Sequence, residues 1–257
     1  MKKITFTMLR KTYILVSALL LTLNLNAKPK PDTRLYEMRI YYPAPGKYAA
    51  IVDRFRQYST KLLEKHGMTN VGYWTPIDTN RKELIYILAH RDMAARDASW
   101  KAFFDDPAWK EVVAKTEANG KLVQKVDVIY LNRTDFSDDV RKSKKGDRVF
   151  ELRTYTATPG HLSDILARFR NHTTKLFEKH GMTNVAYWTT VEKDAATQSK
   201  LVYILAHKSQ EAGKASFDAF RKDPDWIKVR DESERNGKIV EKVESLYLNA
   251  TDYSEIQ

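Results

Sequence analysis

The sequence predicts an α+β fold that occurs twice along the chain, and three observations support this prediction. Long motifs recur at a nearly constant offset, strand-like and helix-like patterns follow the same order in both copies, and the composition is that of a globular protein. Of the 257 residues, 42% are hydrophobic and 30% are charged, with few glycines and prolines. Such a chain has enough apolar material for packed cores and is far from a disordered composition.

The repeat consists of collinear matches over most of the chain. The offset is 114 residues at first and becomes 117 further on, so copy 2 has three additional residues in one loop. Two copies are too few for a solenoid, so we expect each copy to be a domain. The three clearest matches are Tyr36–Tyr41 with Phe150–Tyr155, Glu64–Val71 with Glu178–Val185, and Ile87–His90 with Ile204–His207.

Both copies have the same predicted elements, and copy 1 illustrates them. Residues 35–42 alternate as a strand, and a helix from Lys47 to His66 is followed by Gly67, which is typical of a helix end. Residues 70–76 and 83–90 are strand-like. A helical region then breaks at Pro107 and precedes a last strand at 122–131. The order βαββαβ is that of a ferredoxin-like domain.

The predicted organisation is a signal peptide at 1–27, domain 1 at 34–135, a linker at 136–148 and domain 2 at 149–253. Four basic residues and no acidic residue precede an apolar run at 14–25, the pattern of a secretory signal. That run is shorter than the ~20 residues a bilayer span needs. We therefore expect export to the periplasm or outside the cell, with no stable membrane span after leader removal. An uncleaved anchor is the alternative.

Composition also narrows the function classes. The chain has no cysteine, so disulfides and thiolate chemistry are excluded. The formal charge is +11 and falls to +7 without the four basic residues of the leader, and the densest basic cluster lies in the predicted linker. We expect no nucleic-acid partner. The six histidines have no metal-site spacing, so we expect no metal and no cofactor. Haem bound through His90 or His207 stays an alternative.

The chain resembles the NIPSNAP family in four motifs that both copies carry between residues 35 and 252. These are Glu-x-Arg-x-Tyr followed by Pro-Gly, Lys-His-Gly-Met, Tyr-Trp-Thr and Asp-Pro-x-Trp. Domains of this family are similar to dimeric α/β-barrel proteins, so the resemblance implies that the tandem copies close a pseudo-dimeric barrel within one chain. The wider superfamily includes cofactor-free monooxygenases, isomerases and haem-binding enzymes.

Strand alternation divides the candidate site residues between two sheet faces. We expect Met38 and Ile40 to face the helices. The polar and aromatic face, together with two tryptophans of the second strands, would then line the barrel interior. The candidate catalytic residues are His90, His207, Arg39 and Arg153, and the candidate ligand-binding residues are Glu37, Tyr41, Trp74, Tyr86, Glu151, Tyr155, Trp188 and Tyr203.

Two interpretations of these residues remain open. In the first, arginine binds a carboxylate or enolate, aromatic rings surround an apolar ligand and histidine exchanges a proton. In the second, which we favour, Glu37–Arg39 and Glu151–Arg153 are pairs within a buried interface. We therefore predict a binding protein for a small molecule or a protein partner. The alternative is a cofactor-free monooxygenase- or isomerase-like enzyme with a His/Arg pocket, and the sequence leaves the question of catalysis open.

Overall fold

Eight strands from both copies form one closed antiparallel barrel in the computed structural model of the protein. The structure describes residues 32–140, 142, 143, 146, 148–191 and 199–257. The predicted signal peptide at 1–27 lies outside these residues. The predicted α+β class and the pseudo-dimeric barrel are confirmed, because each copy contributes four strands and the two sheets join edge to edge.

Copy 1 has the predicted order of elements. Its strands are β1 (Leu35–Pro43), β2 (Thr69–Pro76), β3 (Leu84–His90) and β4 (Val123–Arg133). The first helix consists of α1 (Tyr48–Arg54), a π-helical turn (Phe55–Ser59) and α2 (Thr60–Lys65), and the second region consists of α3 (Met93–Asp105) and α4 (Pro107–Thr116). The break falls where Asp106 caps α4 and Pro107 begins it.

Copy 2 repeats these elements. Its strands are β5 (Val149–Ala157), β6 (Thr183–Thr190), β7 (Lys200–His207) and β8 (Val240–Ala250). The helices are α5 (Leu162–Arg168), a π-helical turn (Phe169–Thr173), α6 (Thr174–Lys179), α7 (Gln210–Lys222) and α8 (Pro224–Ser233). The sequence pattern did not predict the π-helical turns, which occur at equivalent places in both copies. None of the helices in the described part of the chain is long and apolar enough to cross a membrane.

The barrel closes through two short strand pairings between the copies. The strand order is β1-β3-β2-β8-β5-β7-β6-β4, so β2 pairs with β8 and β4 pairs with β6. The segment after each copy's last strand then crosses to the other copy. Thr134 N donates to Tyr187 O, and Thr251 N donates to Tyr73 O, both at 3.0 Å. These equivalent bonds tie each copy's sheet edge to the other copy.

The face assignment predicted from strand alternation was wrong. The barrel interior is formed by the aliphatic face, in which Met38 and Ile40 lie opposite residues of copy 2 such as Leu152. The polar and aromatic face instead lies beneath the helices of each copy, where Tyr86 and Tyr203 belong to the two helix–sheet cores. The aliphatic side chains pack against their counterparts from the other copy inside the barrel. The charged side chains on the opposite face have partners on the helices, as Glu37 does on α3.

Candidate functional site

A cavity of about 430 Å³ lies inside the barrel at one end. Six strands, the loop before β3 and the residue after β6 contribute to it, and more than half of the side chains that line it are aliphatic. Its size is within the range of small-molecule sites, about 300–1,000 Å³. The residues that line it are Met38, Ile40, Arg81, Val128, Ile129, Tyr130, Leu152, Thr154, Thr190, Val191, Lys200, Val202, Glu244, Ser245 and Leu246.

The cavity lies across the pseudo-two-fold relation between the copies. Equivalent residues from both copies line it, so that neither copy alone forms the site. The equivalent pairs are Met38 with Leu152, Ile40 with Thr154, Val128 with Ser245, and Ile129 with Leu246. A single chain therefore builds what two identical chains would build in a dimer, and the two sides of the site are free to differ.

Large aromatic side chains fill another part of the barrel interior. Tyr36 packs against Trp188 with ring centroids 5.7 Å apart, and Phe150 packs against Trp74 at 6.0 Å. All four residues are fully buried and belong to the interior cluster, and none of them is among the cavity's lining residues. Trp74 and Trp188 lie inside the barrel, whereas the Glu, Arg and His residues predicted to share that face with them do not.

The threonine and lysine residues among the described residues that line the cavity all belong to copy 2. Thr154, Thr190 and Lys200 occupy positions at which copy 1 has Ile40, Pro76 and Glu83. Alternation along β7 places Lys200 on the same face as Val202, which is buried in the barrel. The backbone N–H of Lys200 donates to Thr190 Oγ1 at 3.0 Å, which fixes these two residues beside each other.

The charged groups around the cavity differ in their partners. The guanidinium of Arg81 donates twice to Glu83 Oε1, at 2.8 and 3.0 Å, and Glu244 is paired with Lys242 at 2.8 Å. The ammonium of Lys200 has no hydrogen bond or ion pair within the described part of the chain. Among the described residues, one cationic group at the cavity therefore has no ion partner, while two other charges there are neutralised.

The predicted catalytic residues of copy 1 form a separate buried cluster between the sheet and α3. Glu37 Oε1 accepts from Arg39 at 2.6 Å and from Arg96 at 3.0 Å, and Oε2 lies 3.1 Å from His90 Nε2. Trp100 Nε1 also donates to Oε2 at 2.9 Å. This carboxylate is completely buried, and its four partners come from two strands and one helix.

The ionised form of Glu37 is stabilised by these partners. Burial alone would raise the pKa of its carboxyl group, but hydrogen bonds from His90, Arg96 and Trp100 and the charge of Arg39 outweigh burial. The pKa of Glu37 therefore lies well below its usual range. The guanidinium of Arg39 also stacks over Trp100, with its carbon 4.4 Å from the ring centroid.

Copy 2 keeps the centre of this cluster with different neighbours. Glu151 binds Arg153 at 2.5 Å, His207 at 2.9 Å and Ser245 at 2.5 Å. Gly213 and Phe217 replace the arginine and tryptophan of α3, and a methyl group at Gly213 would lie 2.9 Å from Tyr247 Oη. Burial raises the pKa of Glu151, but its hydrogen bonds and the charge of Arg153 together lower it.

The predicted tyrosines lie in the helix–sheet cores. Tyr41 contacts Tyr86 with ring centroids 5.2 Å apart, and Tyr155 contacts Tyr203 at 5.5 Å. Burial raises the pKa of the Tyr86 and Tyr203 hydroxyls well above the usual value. Ten of the twelve predicted site residues thus lie on the helix side of the sheets, and only the tryptophans lie inside the barrel. Their proposed roles in catalysis or ligand binding stay predictions.

Sequence analysis missed the residues that line the cavity. A usable signal was the difference between copies at equivalent positions, where Thr154 replaces Ile40 and Lys200 replaces Glu83. Residues that maintain a common fold tend to repeat, whereas a site on the axis between copies changes on one side. The described residues contain no group of three or more His, Asp or Glu side chains that could hold a metal ion.

A second concave site of about 380 Å³ lies on the surface of copy 2, between α5 and α8. Most of its lining residues are polar or charged, and some of them are paired. His161 Nδ1 lies 2.8 Å from Asp164, and Arg168 donates to Glu234 at 3.0 Å. This site is built by one copy and lined mostly by polar and charged residues, whereas the barrel cavity is built by both copies and includes buried aliphatic side chains. The barrel cavity is therefore the candidate functional site.

Solved structures with the same architecture cover both copies. A protein from Lactobacillus acidophilus NCFM described as a candidate monooxygenase is 14% identical, with a TM-score of 0.56, over 85% of this chain and 94% of that chain. A second candidate monooxygenase, from Fusobacterium nucleatum subsp. nucleatum, is 12% identical, with a TM-score of 0.57, over 85% and 92%. An anthrone oxidase-like protein is 10% identical, with a TM-score of 0.51, over 87% and 94%. At these identities the likeness shows the fold alone.

Sequence comparison identifies the family. A search of the curated proteins found no match. The family model named NIPSNAP matches residues 36–138 and 150–255, which correspond to the two copies. These ranges include nearly all of both four-stranded sheets and all of the described residues that line the cavity. The chain therefore belongs to the NIPSNAP family and contains two tandem domains of it.

Proposed function

We propose that the protein binds one small, predominantly apolar molecule in the barrel cavity. The observation that supports this most strongly is the cavity itself, which has a volume of about 430 Å³ and is lined by aliphatic side chains of both copies. Transfer of an apolar molecule from water to such a surface contributes about 25 cal/mol per Å² of buried apolar area. Closing the barrel in one chain holds the two halves of the site together without an association step.

Binding without catalysis fits the positions of the acid and base candidates. His90 and His207 each contact a buried glutamate on the helix side of the sheet, and none of the described residues that line the cavity is a histidine. A general base must come within hydrogen-bond reach of the proton it removes. A ligand in the barrel is separated from both histidines by the sheet, so the monooxygenase- or isomerase-like alternative is less favoured.

We also propose that the protein is exported. Support comes from the basic start and the apolar run within residues 1–27. The intact mass of the protein isolated from its host tests this proposal. A mass that lacks the first ~27 residues agrees with it, and the mass of the full chain would contradict it.

Titration with N-phenyl-1-naphthylamine tests the binding function. This neutral dye becomes fluorescent in apolar surroundings, so we expect saturable emission with one dye per chain. Ile40→Trp fills the cavity with a larger side chain and should reduce the affinity by at least about tenfold. Val243→Trp adds the same side chain at an exposed position of β8 and should leave the affinity unchanged.

Equal dye binding by wild type and Ile40→Trp would refute a site in the barrel. Absence of dye binding by the wild type would refute an accessible apolar cavity. Circular dichroism and thermal unfolding of both variants establish that a loss of binding is not a loss of fold. If Ile40→Trp does not fold, Leu246→Trp places the same side chain on the opposite side of the cavity.

A further inference from the structure

We infer that the molecule in the barrel is an amphipathic anion, an apolar chain or ring that ends in a carboxylate. This inference rests on the proposed function and specifies its ligand. The interior part of the cavity is aliphatic, with Met38, Leu152 and Val202 buried, and its lining residues include Lys200, whose ammonium has no ion partner among the described residues. A ligand with one apolar and one anionic end satisfies both parts at once.

The charges around the cavity favour an anion over a cation. Arg81 is already bound to Glu83 through two hydrogen bonds, and Glu244 is already paired with Lys242. Lys200 alone among these groups has no ion partner within the described part of the chain. A carboxylate beside it gains a charge-assisted hydrogen bond, which is stronger than a bond between neutral groups.

Hydroxyl groups next to Lys200 extend this polar end. Thr154 lies on β5 opposite Val202 of β7, two residues from Lys200 and on the same sheet face. Its hydroxyl makes no hydrogen bond within the described part of the chain, although it lines the cavity. A threonine hydroxyl donates one hydrogen bond, and a carboxylate has two oxygens that accept. Lys200 and Thr154 therefore provide two donors for one carboxylate.

Comparison of the copies indicates a single ligand orientation. Copy 1 has Ile40 where copy 2 has Thr154, and it has Glu83, neutralised by Arg81, where copy 2 has Lys200. A symmetric cavity would bind a symmetric ligand, or one ligand in two orientations. Because the hydroxyl and the uncompensated charge both belong to copy 2, the anionic end of the ligand points towards β5 and β7.

The volume limits the size of the ligand. At roughly 30 Å³ per non-hydrogen atom, the share of a molecule in liquid water, 430 Å³ holds about 14 such atoms. That is the size of a monocarboxylate with a chain of about ten to twelve carbons. Decanoate is therefore a suitable probe, with 1-decanol as its neutral counterpart and decylammonium as its cationic counterpart. N-phenyl-1-naphthylamine has about 17 non-hydrogen atoms, so part of this dye would extend beyond the cavity at the end of the barrel.

The test is displacement of N-phenyl-1-naphthylamine from the full chain by these three amphiphiles. In Lys200→Gln the affinity for decanoate should fall by about fivefold or more, because a charged partner is lost at a partly buried position. The affinity for 1-decanol should stay within about twofold, because its apolar contacts are unchanged. Lys208→Gln is the matched control, since Lys208 follows the other end of β7 and is exposed. It should change neither affinity.

Two further variants complete the test. Lys200→Glu recreates the acidic residue of copy 1 and should bind decylammonium more tightly than the wild type does, and decanoate more weakly. Thr154→Val removes the hydroxyl with little change of volume. It should reduce the affinity for decanoate by about threefold and leave the affinity for 1-decanol unchanged. If the dye and 1-decanol bind but Lys200→Gln leaves the affinity for decanoate unchanged, the inference about the anionic ligand is wrong and the proposed function stands. If the wild type binds none of them, the proposed function fails.

Discussion

Glu37 accepts a hydrogen bond from the indole N–H of Trp100 at 2.9 Å, and this contact connects a strand residue to the helix that covers it. A carboxylate on β1 can reach Trp100 of α3 only from the helix side of the sheet. Because side chains alternate along β1, this contact also means that the aliphatic face of β1 lines the barrel. The charged cluster belongs to the layer that holds helix and sheet together, and the cavity lies on the other side of that sheet.

The glutamate clusters should contribute unequally to stability. Glu37→Gln removes a fully buried charge that three cationic or potentially cationic partners contact, and it should reduce the free energy of unfolding by about 2–4 kcal/mol. Glu151→Gln should reduce it by about 1–2 kcal/mol, because Gly213 replaces the second arginine. Urea unfolding of both variants measures the difference. An equal loss in both, or a loss no larger than that of the exposed Glu64→Gln, would refute this account.

Acid should destabilise the protein through the same clusters. The pKa of Glu37 is lower in the folded than in the unfolded chain, and so is that of Glu151. The unfolded state therefore binds protons first, and the stabilisation is fully present above the unfolded value of 4.5 and is lost as the pH falls below it. We expect the free energy of unfolding to fall between about pH 5 and about pH 3. The double variant Glu37→Gln/Glu151→Gln should show a shallower decrease, and an unchanged slope would contradict this prediction.

Trp74 should make position 72 intolerant of a side chain. A methyl group at Gly72 would overlap the indole of Trp74, at a separation that real Cβ contacts essentially never show. Gly72→Ala should therefore cost about 1–3 kcal/mol of unfolding free energy, which outweighs the gain of under ~1 kcal/mol from a stiffer strand backbone.

A second substitution shows whether the indole causes this cost. Trp74→Phe should cost less in the Gly72→Ala background than in the wild type, because the smaller ring relieves the clash. Additive losses in the double variant would show that the two sites do not interact. Copy 2 has Ala186 at the equivalent position beside Trp188, so the two halves of the barrel are packed differently at this point.

The fold was predictable because strand and helix patterns and the repeat are local properties of the sequence. The break at Pro107 followed from capping, and the order of elements along the chain followed from periodicity. Which face of each strand meets the helices was not predictable, because alternation separates the two faces of a strand without indicating which one a helix covers. Met38 and Ile40 suit either environment, and the decisive partners of Glu37 are Arg96 and Trp100, about 60 residues further along the chain.

The candidate site was less predictable than the fold. Repetition in both copies directed attention to Glu37, Arg39 and His90, and these residues belong to a cluster that each copy builds for itself. Lys200 and Thr154 carry no motif, and they come close to each other through the pairing of β5 with β7 within copy 2. Only the closed barrel places them beside Met38.

Nuclear Overhauser effects between a bound apolar ligand and the methionine methyl groups test the central claim most directly. With methyl-labelled methionine and N-phenyl-1-naphthylamine, a ligand in the barrel should contact Met38, which lines the cavity. Met68 and Met182 belong to the helix–sheet cores of the two copies, and Met93 is exposed at the start of α3. Contacts to Met38 alone would support the barrel site. Contacts to Met68 or Met182 without Met38 would place the ligand under the helices and contradict the account.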